Sequence, residues 1–200
     1  MATRRHFLAT AGAGAAMLAT PSLVRAEISE DGLHIQPWIT ETFFEFGTDL
    51  EDAAAEGKHL MILVEQRGCP YCAELHEVNF QREEIVNFIQ ENFLVLQLNM
   101  WGSRATIDFD GEELGERELV QKWDVQYTPT TLLFDNANVG ASTFAEAESL
   151  RLPGYLRPFH YVSTLEYLVE GAYKDQHFQR WLQAKVERLE EQGIHVDLWK

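Results

Sequence analysis

The sequence predicts an α/β domain, a central mixed sheet flanked by helices, with an additional helix at the C-terminus. Three features carry that expectation. Leu60–Val64 is an uninterrupted apolar run of strand length, Cys69 and Cys72 open a helical pattern just after it, and Phe93–Leu98 supplies the next strand. Strand, helix and strand in that order form a parallel unit whose crossover is right-handed. With 46% hydrophobic and 12% aromatic residues, the 200-residue chain can bury a sizeable core, which excludes disorder as its main state.

The first residues read as an address. Thr3-Arg4-Arg5-His6-Phe7-Leu8 has the form of a twin-arginine export motif, followed by a weakly apolar Gly/Ala stretch and Val24-Arg25-Ala26, where small residues suit signal peptidase. Gly12, Gly14 and Pro21 interrupt any core helix there, and the apolar run is too short to stay in a bilayer. Cleavage is expected after Ala26, so residues 1–26 are a signal peptide and the destination is an oxidising periplasm. The whole chain carries a net charge of -16, and losing Arg4, Arg5 and Arg25 leaves 13 bases against 32 acids, or -19. Such a charge repels phosphate backbones and anionic lipid, so neither nucleic acid nor a membrane surface is an expected partner.

Each element of the mature chain has its own signal. Residues 27–39 form a mixed entry segment. Thr48 or Asp49 can cap a short helix that runs through Glu56 and ends at Gly57. The Leu60–Val64 run suits an interior strand covered on both faces. Pro70 is tolerated in the first turn of the next helix, where no intrahelical donor is lost, and Leu75, Val78, Ile85, Val86, Phe88 and Ile89 continue its buried face. Met100–Gly115 reads as a polar insertion. Its Asp108, Asp110 and Gly111 only faintly resemble a calcium loop, so a solvated loop is expected. Glu116–Trp123 has helical spacing, Thr130–Phe134 is a strand, and Leu150–Leu152 is another, broken by Pro153-Gly154. Phe159, Val162, Leu165 and Val169 mark one helical stripe. Phe178, Trp181, Leu182, Val186 and Leu189 mark a second, in a helix expected over 175–192 and covered by its own core.

Only two cysteines occur, too few for a disulfide scaffold or a four-thiolate zinc site. At a helix start, backbone N–H groups and the helix dipole favour a thiolate on Cys69, which makes it the candidate nucleophile. Cys72, one turn further on, can attack a mixed disulfide on Cys69 and leave a Cys69–Cys72 disulfide. A purely structural bridge over so short a loop would restrain the unfolded chain little. The pair therefore needs no other cofactor. A competing possibility is a soft ion such as Cu(I) or zinc on Cys69, Cys72 and His76, although a fourth ligand is not evident. A third is an oxidase that inserts disulfides.

Thr128-Pro129, directly before a strand and far downstream of Cys-x-x-Cys, resembles the cis-proline loop of the thioredoxin superfamily. Gly68-Cys69-Pro70-Tyr71-Cys72, Asp108-Phe109-Asp110-Gly111-Glu112-Glu113-Leu114, Glu118-Leu119, Tyr127-Thr128-Pro129-Thr130 and Leu152-Pro153-Gly154-Tyr155-Leu156 together resemble the SoxW family of periplasmic thioredoxins associated with sulfur-compound oxidation. The likeness spans about residues 40–170. It implies a thioredoxin fold over 40–172, a helical extension over 173–200, and a dithiol reductase. Cys69 and Cys72 would be catalytic, and Thr128 would offer main-chain groups to an extended client by strand addition beside Pro129, Gly154, Pro70 and Tyr71. It also implies oxidised periplasmic clients, among them a sulfur-carrier protein, and recharging by a membrane thiol transporter of the SoxV/CcdA type. A monomer is expected, meeting the membrane only during export and recharging.

Two departures stand out. Gly68 and Cys-Pro-Tyr-Cys replace the Trp-Cys-Gly-Pro-Cys of ordinary thioredoxins, and the buried Asp that thioredoxins place behind the second cysteine falls at Leu63. Glu65, at the end of the same strand, is the candidate substitute proton acceptor, the alternative being a solvent-facing strand-end residue.

Overall fold

A computed structural model describes residues 27–196. The signal-peptide expectation for residues 1–26 lies outside them. Within the entry segment, β1 (Glu27–Ile28) and β2 (His34–Ile35) pair as a small antiparallel hairpin. Helix α1 (Phe46–Ala55) begins before the expected caps, so Asp49 lies inside it, while Gly57 follows its end at φ 73° as anticipated. Strand β3 (His59–Glu65) leads to α2 (Pro70–Glu74), a π-helical turn over Leu75–Asn79, and α3 (Glu83–Asn92). The expected continuous helix is thus interrupted, and Val78 is exposed rather than buried.

Strand β4 (Phe93–Asn99) follows, then a hairpin of β5 (Ala105–Ile107) and β6 (Glu113–Gly115) where a solvated loop was expected. Asp108 corrects that expectation most clearly. It is buried, its Oδ1 accepts from the indole of Trp123 at 2.9 Å, and Lys122 meets its Oδ2 at 2.7 Å. Lys122 also sits 2.6 Å from Asp110 and 2.8 Å from Glu112, so a side-chain ammonium occupies the centre of the acidic cluster. The remaining elements are α4 (Glu116–Lys122), β7 (Thr130–Phe134), the short α5 (Phe144–Ala147), β8 (Leu150–Pro153), α6 (Pro158–Val169) and α7 (Phe178–Glu191).

The main sheet has the order β4-β3-β7-β8, with β3 parallel to β4 and antiparallel to β7, and β7 antiparallel to β8. Its central strand alternates between two cores, as a period of two requires. Leu60, Ile62 and Val64 pack with Phe46, Leu50, Leu96 and Trp123 on one face. Met61 and Leu63 pack with Leu75, Ile85, Ile89, Tyr161 and Leu165 on the other. The same alternation sends Glu65 to the second face, which the cysteine helix covers. Helix α7 is covered only in part: Trp181 is buried and donates its indole N–H to Glu170 at 2.8 Å, while Phe178, Leu182, Val186 and Leu189 are half-buried.

Asp49 is the polar anomaly of the first core. Burial pushes its carboxyl up to about 6 against an ordinary 3.8; the Thr42 hydroxyl pulls the other way, and Asp52 and Glu45 add to the rise. Its Oδ2 has no hydrogen-bond partner among the described residues. Between those two values the folded state holds a proton that the unfolded chain has released, so ionisation of Asp49 weakens the fold as pH rises through that window. The Tm of Asp49→Asn minus that of wild type is therefore expected to increase from pH about 4 to pH about 7. A difference that stays flat across the window would contradict this assignment.

Candidate active site

The cysteine pair sits where β3 gives way to α2. Gly68 takes φ 70°, a left-handed value that a side chain would resist, and so turns the chain sharply enough to start the helix at Pro70. Cys69 becomes the N-cap, its Sγ accepting from the Cys72 backbone N–H at 3.1 Å. Cys69 and Cys72 form a disulfide with their Cα atoms 5.2 Å apart. The two sulfurs are unequal. Cys69 retains 7% exposure, whereas Cys72 has none.

The proline loop comes to the outer sulfur. The Thr128–Pro129 bond is cis. Thr128 lies against Cys69 through two atoms: its hydroxyl donates to Sγ at 3.4 Å, and its carbonyl oxygen lies 3.4 Å from the same sulfur. Gly154, at φ 80°, donates its N–H to the Pro129 carbonyl at 2.8 Å, which locks the end of β8 beside the loop. Tyr71, Tyr127, Thr128, Pro153, Gly154 and Tyr155 line an open groove there of about 520 Å³. Its walls are mostly apolar, and Tyr71 and Tyr127 are both well exposed. The predicted residues Cys69, Tyr71, Thr128, Pro129 and Gly154 are thus brought together, with Pro70 adjoining them in the first turn of α2.

Glu65 is elsewhere, behind the helix. It is fully buried, not a solvent-facing strand end, and its carboxylate meets His76 Nε2 at 3.0 and 3.1 Å. Gln97 donates to its Oε2 at 2.6 Å. On the far side of the imidazole, the Gln36 amide faces Nδ1 at 3.2 Å. An amide nitrogen can only donate, so Nδ1 accepts and the Nε2 proton points at Glu65. His34 stacks on His76 with ring centres 5.1 Å apart, and its own pKa is lowered by burial and then by the nearby His76, against the pull of Glu65. Because both nitrogens of His76 are engaged and the ring has no exposed surface, it cannot turn to the sulfurs without abandoning Glu65. In the disulfide-bonded arrangement His76 Nε2 is thus directed at Glu65, not at the cysteine sulfurs.

Sequence reasoning did not single out Gln36, His34, Gln97, Gln66 or Trp101. Lone glutamines carry no spacing signal, and Gln36 and Gln97 reach the site from segments distant along the chain. The available clue was parity along β3, which puts Glu65 on the cysteine-helix face.

Fold and site together define a thioredoxin-fold protein with a disulfide in a Cys-x-x-Cys motif beside a cis-proline loop. A family model described as thioredoxin-like domain matches residues 46–169, and the chain belongs to that family. A thioredoxin-fold protein from Helicobacter pylori is 23% identical, with 67% of this chain and 85% of that one covered at a TM-score of 0.50. A thioredoxin from Thermus thermophilus is 19% identical over 63% of this chain and 85% of that one, at a TM-score of 0.47. The oxidised C-terminal domain of DsbD from Neisseria meningitidis is 12% identical over 60% and 86%, at 0.42. The first of these is a likeness of fold alone. No curated protein sequence matches the chain.

Breaking the buried pair has a calculable consequence. In His76→Leu the Glu65 carboxylate keeps Gln97 but loses its imidazole donor, with no route to water. A loss of about 1.5–3 kcal/mol in unfolding free energy, measured in urea, is expected, the scale of a hydrogen bond to a charged group. A loss below about 1 kcal/mol would mean that the contact carries little stability.

Proposed function

We propose that the protein is a periplasmic thiol-disulfide oxidoreductase that reduces disulfides in exported proteins. The observation that carries this reading is the asymmetry of the pair: Cys69 keeps 7% exposure and meets Thr128 of the cis-proline loop, while Cys72 has no exposed surface. In the reduced enzyme, the Cys69 thiolate attacks one sulfur of a client disulfide and expels the other as a thiolate. A mixed disulfide remains. Cys72 gives up its proton and attacks Cys69 Sγ, releasing the second client thiolate. Two electrons have then passed to the client, and the enzyme holds the Cys69–Cys72 disulfide.

The buried Glu65–His76 pair is the proposed acceptor of the Cys72 proton. His76 lies one helical turn beyond Cys72, and Glu65 ends the strand on which that helix packs. Thr128 and Pro129 hold the client chain in extended form, with Pro70, Tyr71 and Gly154 shaping the groove around it. Export by the twin-arginine route, recharging by a membrane thiol transporter of the SoxV/CcdA type, a sulfur-carrier client and a place in sulfur oxidation belong to the same proposal. The export motif and the SoxW-like sequence runs support them. The protein is proposed to act as a monomer.

An insulin disulfide-reduction assay with a chemical dithiol as reductant tests the reading. Wild type is expected to be active and Cys69→Ser inactive, while Cys72→Ser accumulates mixed disulfides with its clients. Equal inactivity of wild type and Cys69→Ser would overturn it. Glu65→Gln should slow resolution of the mixed disulfide by about 100-fold at neutral pH, the usual scale for loss of a general base.

A further inference from the structure

A chain of hydrogen bonds reaches Cys69 from outside the cysteine motif, and its polarity is fixed at the far end. Trp101 follows β4 in the turn before the β5–β6 hairpin. Its indole N–H donates to Gln66 Oε1 at 2.7 Å. An indole nitrogen has a proton and no lone pair to offer, so Gln66 must present its oxygen there and its amide nitrogen at the other end. That nitrogen donates to Thr128 Oγ1 at 2.8 Å. With its oxygen already accepting, the Thr128 hydroxyl is free to direct its own proton at Cys69 Sγ, 3.4 Å away. Three donors in succession point at one sulfur.

We propose that Trp101 and Gln66 are positioning residues that orient the Thr128 hydroxyl toward Cys69 and so stabilise its thiolate in the reduced protein. The inference rests on the reading of Cys69 as the attacking thiol. Donors aligned head to tail polarise one another, and the last bond ends on a developing charge, where hydrogen bonds are strongest. Without Gln66, the Thr128 hydroxyl could rotate toward other acceptors. Without Trp101, the Gln66 amide could reverse and turn its oxygen to Thr128, which would then spend its proton on Gln66 instead of the sulfur. The Trp101 ring is held independently: its backbone N–H donates to Asn99 Oδ1 at 3.0 Å, and the Arg117 guanidinium lies 5.4 Å from a ring centre. Trp101 is 58% exposed, so losing the indole nitrogen alone leaves no hole in the core.

The test uses Cys72→Ser as background, which leaves Cys69 as the sole thiol of the chain. The pH profile of iodoacetamide alkylation then gives the Cys69 pKa directly. Adding Thr128→Val should raise that pKa by about one unit, and adding Gln66→Met or Trp101→Phe by about half a unit each. Trp101→Phe keeps an aromatic ring and removes only the donor, so a role limited to packing would not move the profile. A rise with Thr128→Val alone, or no rise in any of the three, overturns the relay. Insulin reduction by the protein with both cysteines judges the oxidoreductase reading separately, so either can fail without the other.

Discussion

The site is organised around a carboxylate and an imidazole that face each other without exposed surface, Glu65 and His76. Neither group can be taken from water unless its remaining valences are met, because an unpaired buried charge costs several kcal/mol. That requirement recruits the surroundings. Gln97 arrives from β4 to meet the second carboxylate oxygen, and Gln36 arrives from beyond the N-terminal hairpin to meet the other ring nitrogen. Gln97 also donates to the His34 carbonyl at 2.9 Å, so one amide ties the sheet, the pair and the hairpin together. The entry segment is therefore part of the wall behind the cysteine helix.

The π-helical turn fits the same picture. Its five residues, Leu75–Asn79, contribute Leu75 to the second core, His76 to the pair, and Asn79 to the loop after β8. Asn79 donates to the Leu156 carbonyl at 3.0 Å and accepts from the Tyr155 hydroxyl at 3.2 Å. Such wide turns recur at functional sites because they let neighbouring side chains depart from the 3.6-residue stripe. Here the departure exposes Val78, which ordinary helical spacing would have buried. The cysteine helix is thereby anchored to the segment that also carries Gly154, and the groove keeps its shape from both sides.

These features explain what the sequence could disclose. The interior strand was legible because both faces of β3 are apolar, and the cysteine helix because Cys-Pro at a helix start satisfies local rules. Thr128-Pro129 gained meaning only from its position before a strand. The β5–β6 hairpin escaped notice because its strands have three residues each and Asp108 is buried against Trp123 and Lys122, contacts that no local pattern announces. The break after Glu74 was equally hidden, since Leu75, Ile85 and Ile89 do share one core and differ only in the path between them. Glu65 was visible as a carboxylate at the end of β3. Its companions were not, because neutral amides join a site by reach rather than by spacing.

The environments of the two sulfurs divide the chemistry between them. Around Cys69 gather donors: the Cys72 backbone N–H at 3.1 Å and the Thr128 hydroxyl at 3.4 Å. Donors favour the charged form of a thiol, so Cys69 is the sulfur that these contacts suit to become a thiolate. Cys72, by contrast, has no exposed surface, and burial disfavours the charged form of a thiol. A thiol in that setting is a poor nucleophile at rest and becomes a good one only as its proton leaves. On the proposed reading of Glu65 and His76 as acceptor of the Cys72 proton, a pair without exposed surface would confine that event to the interval when a client is bound and Cys69 is already spoken for. The proposed order of attack would then follow from burial and hydrogen-bond polarity, without any difference in the intrinsic chemistry of two cysteines.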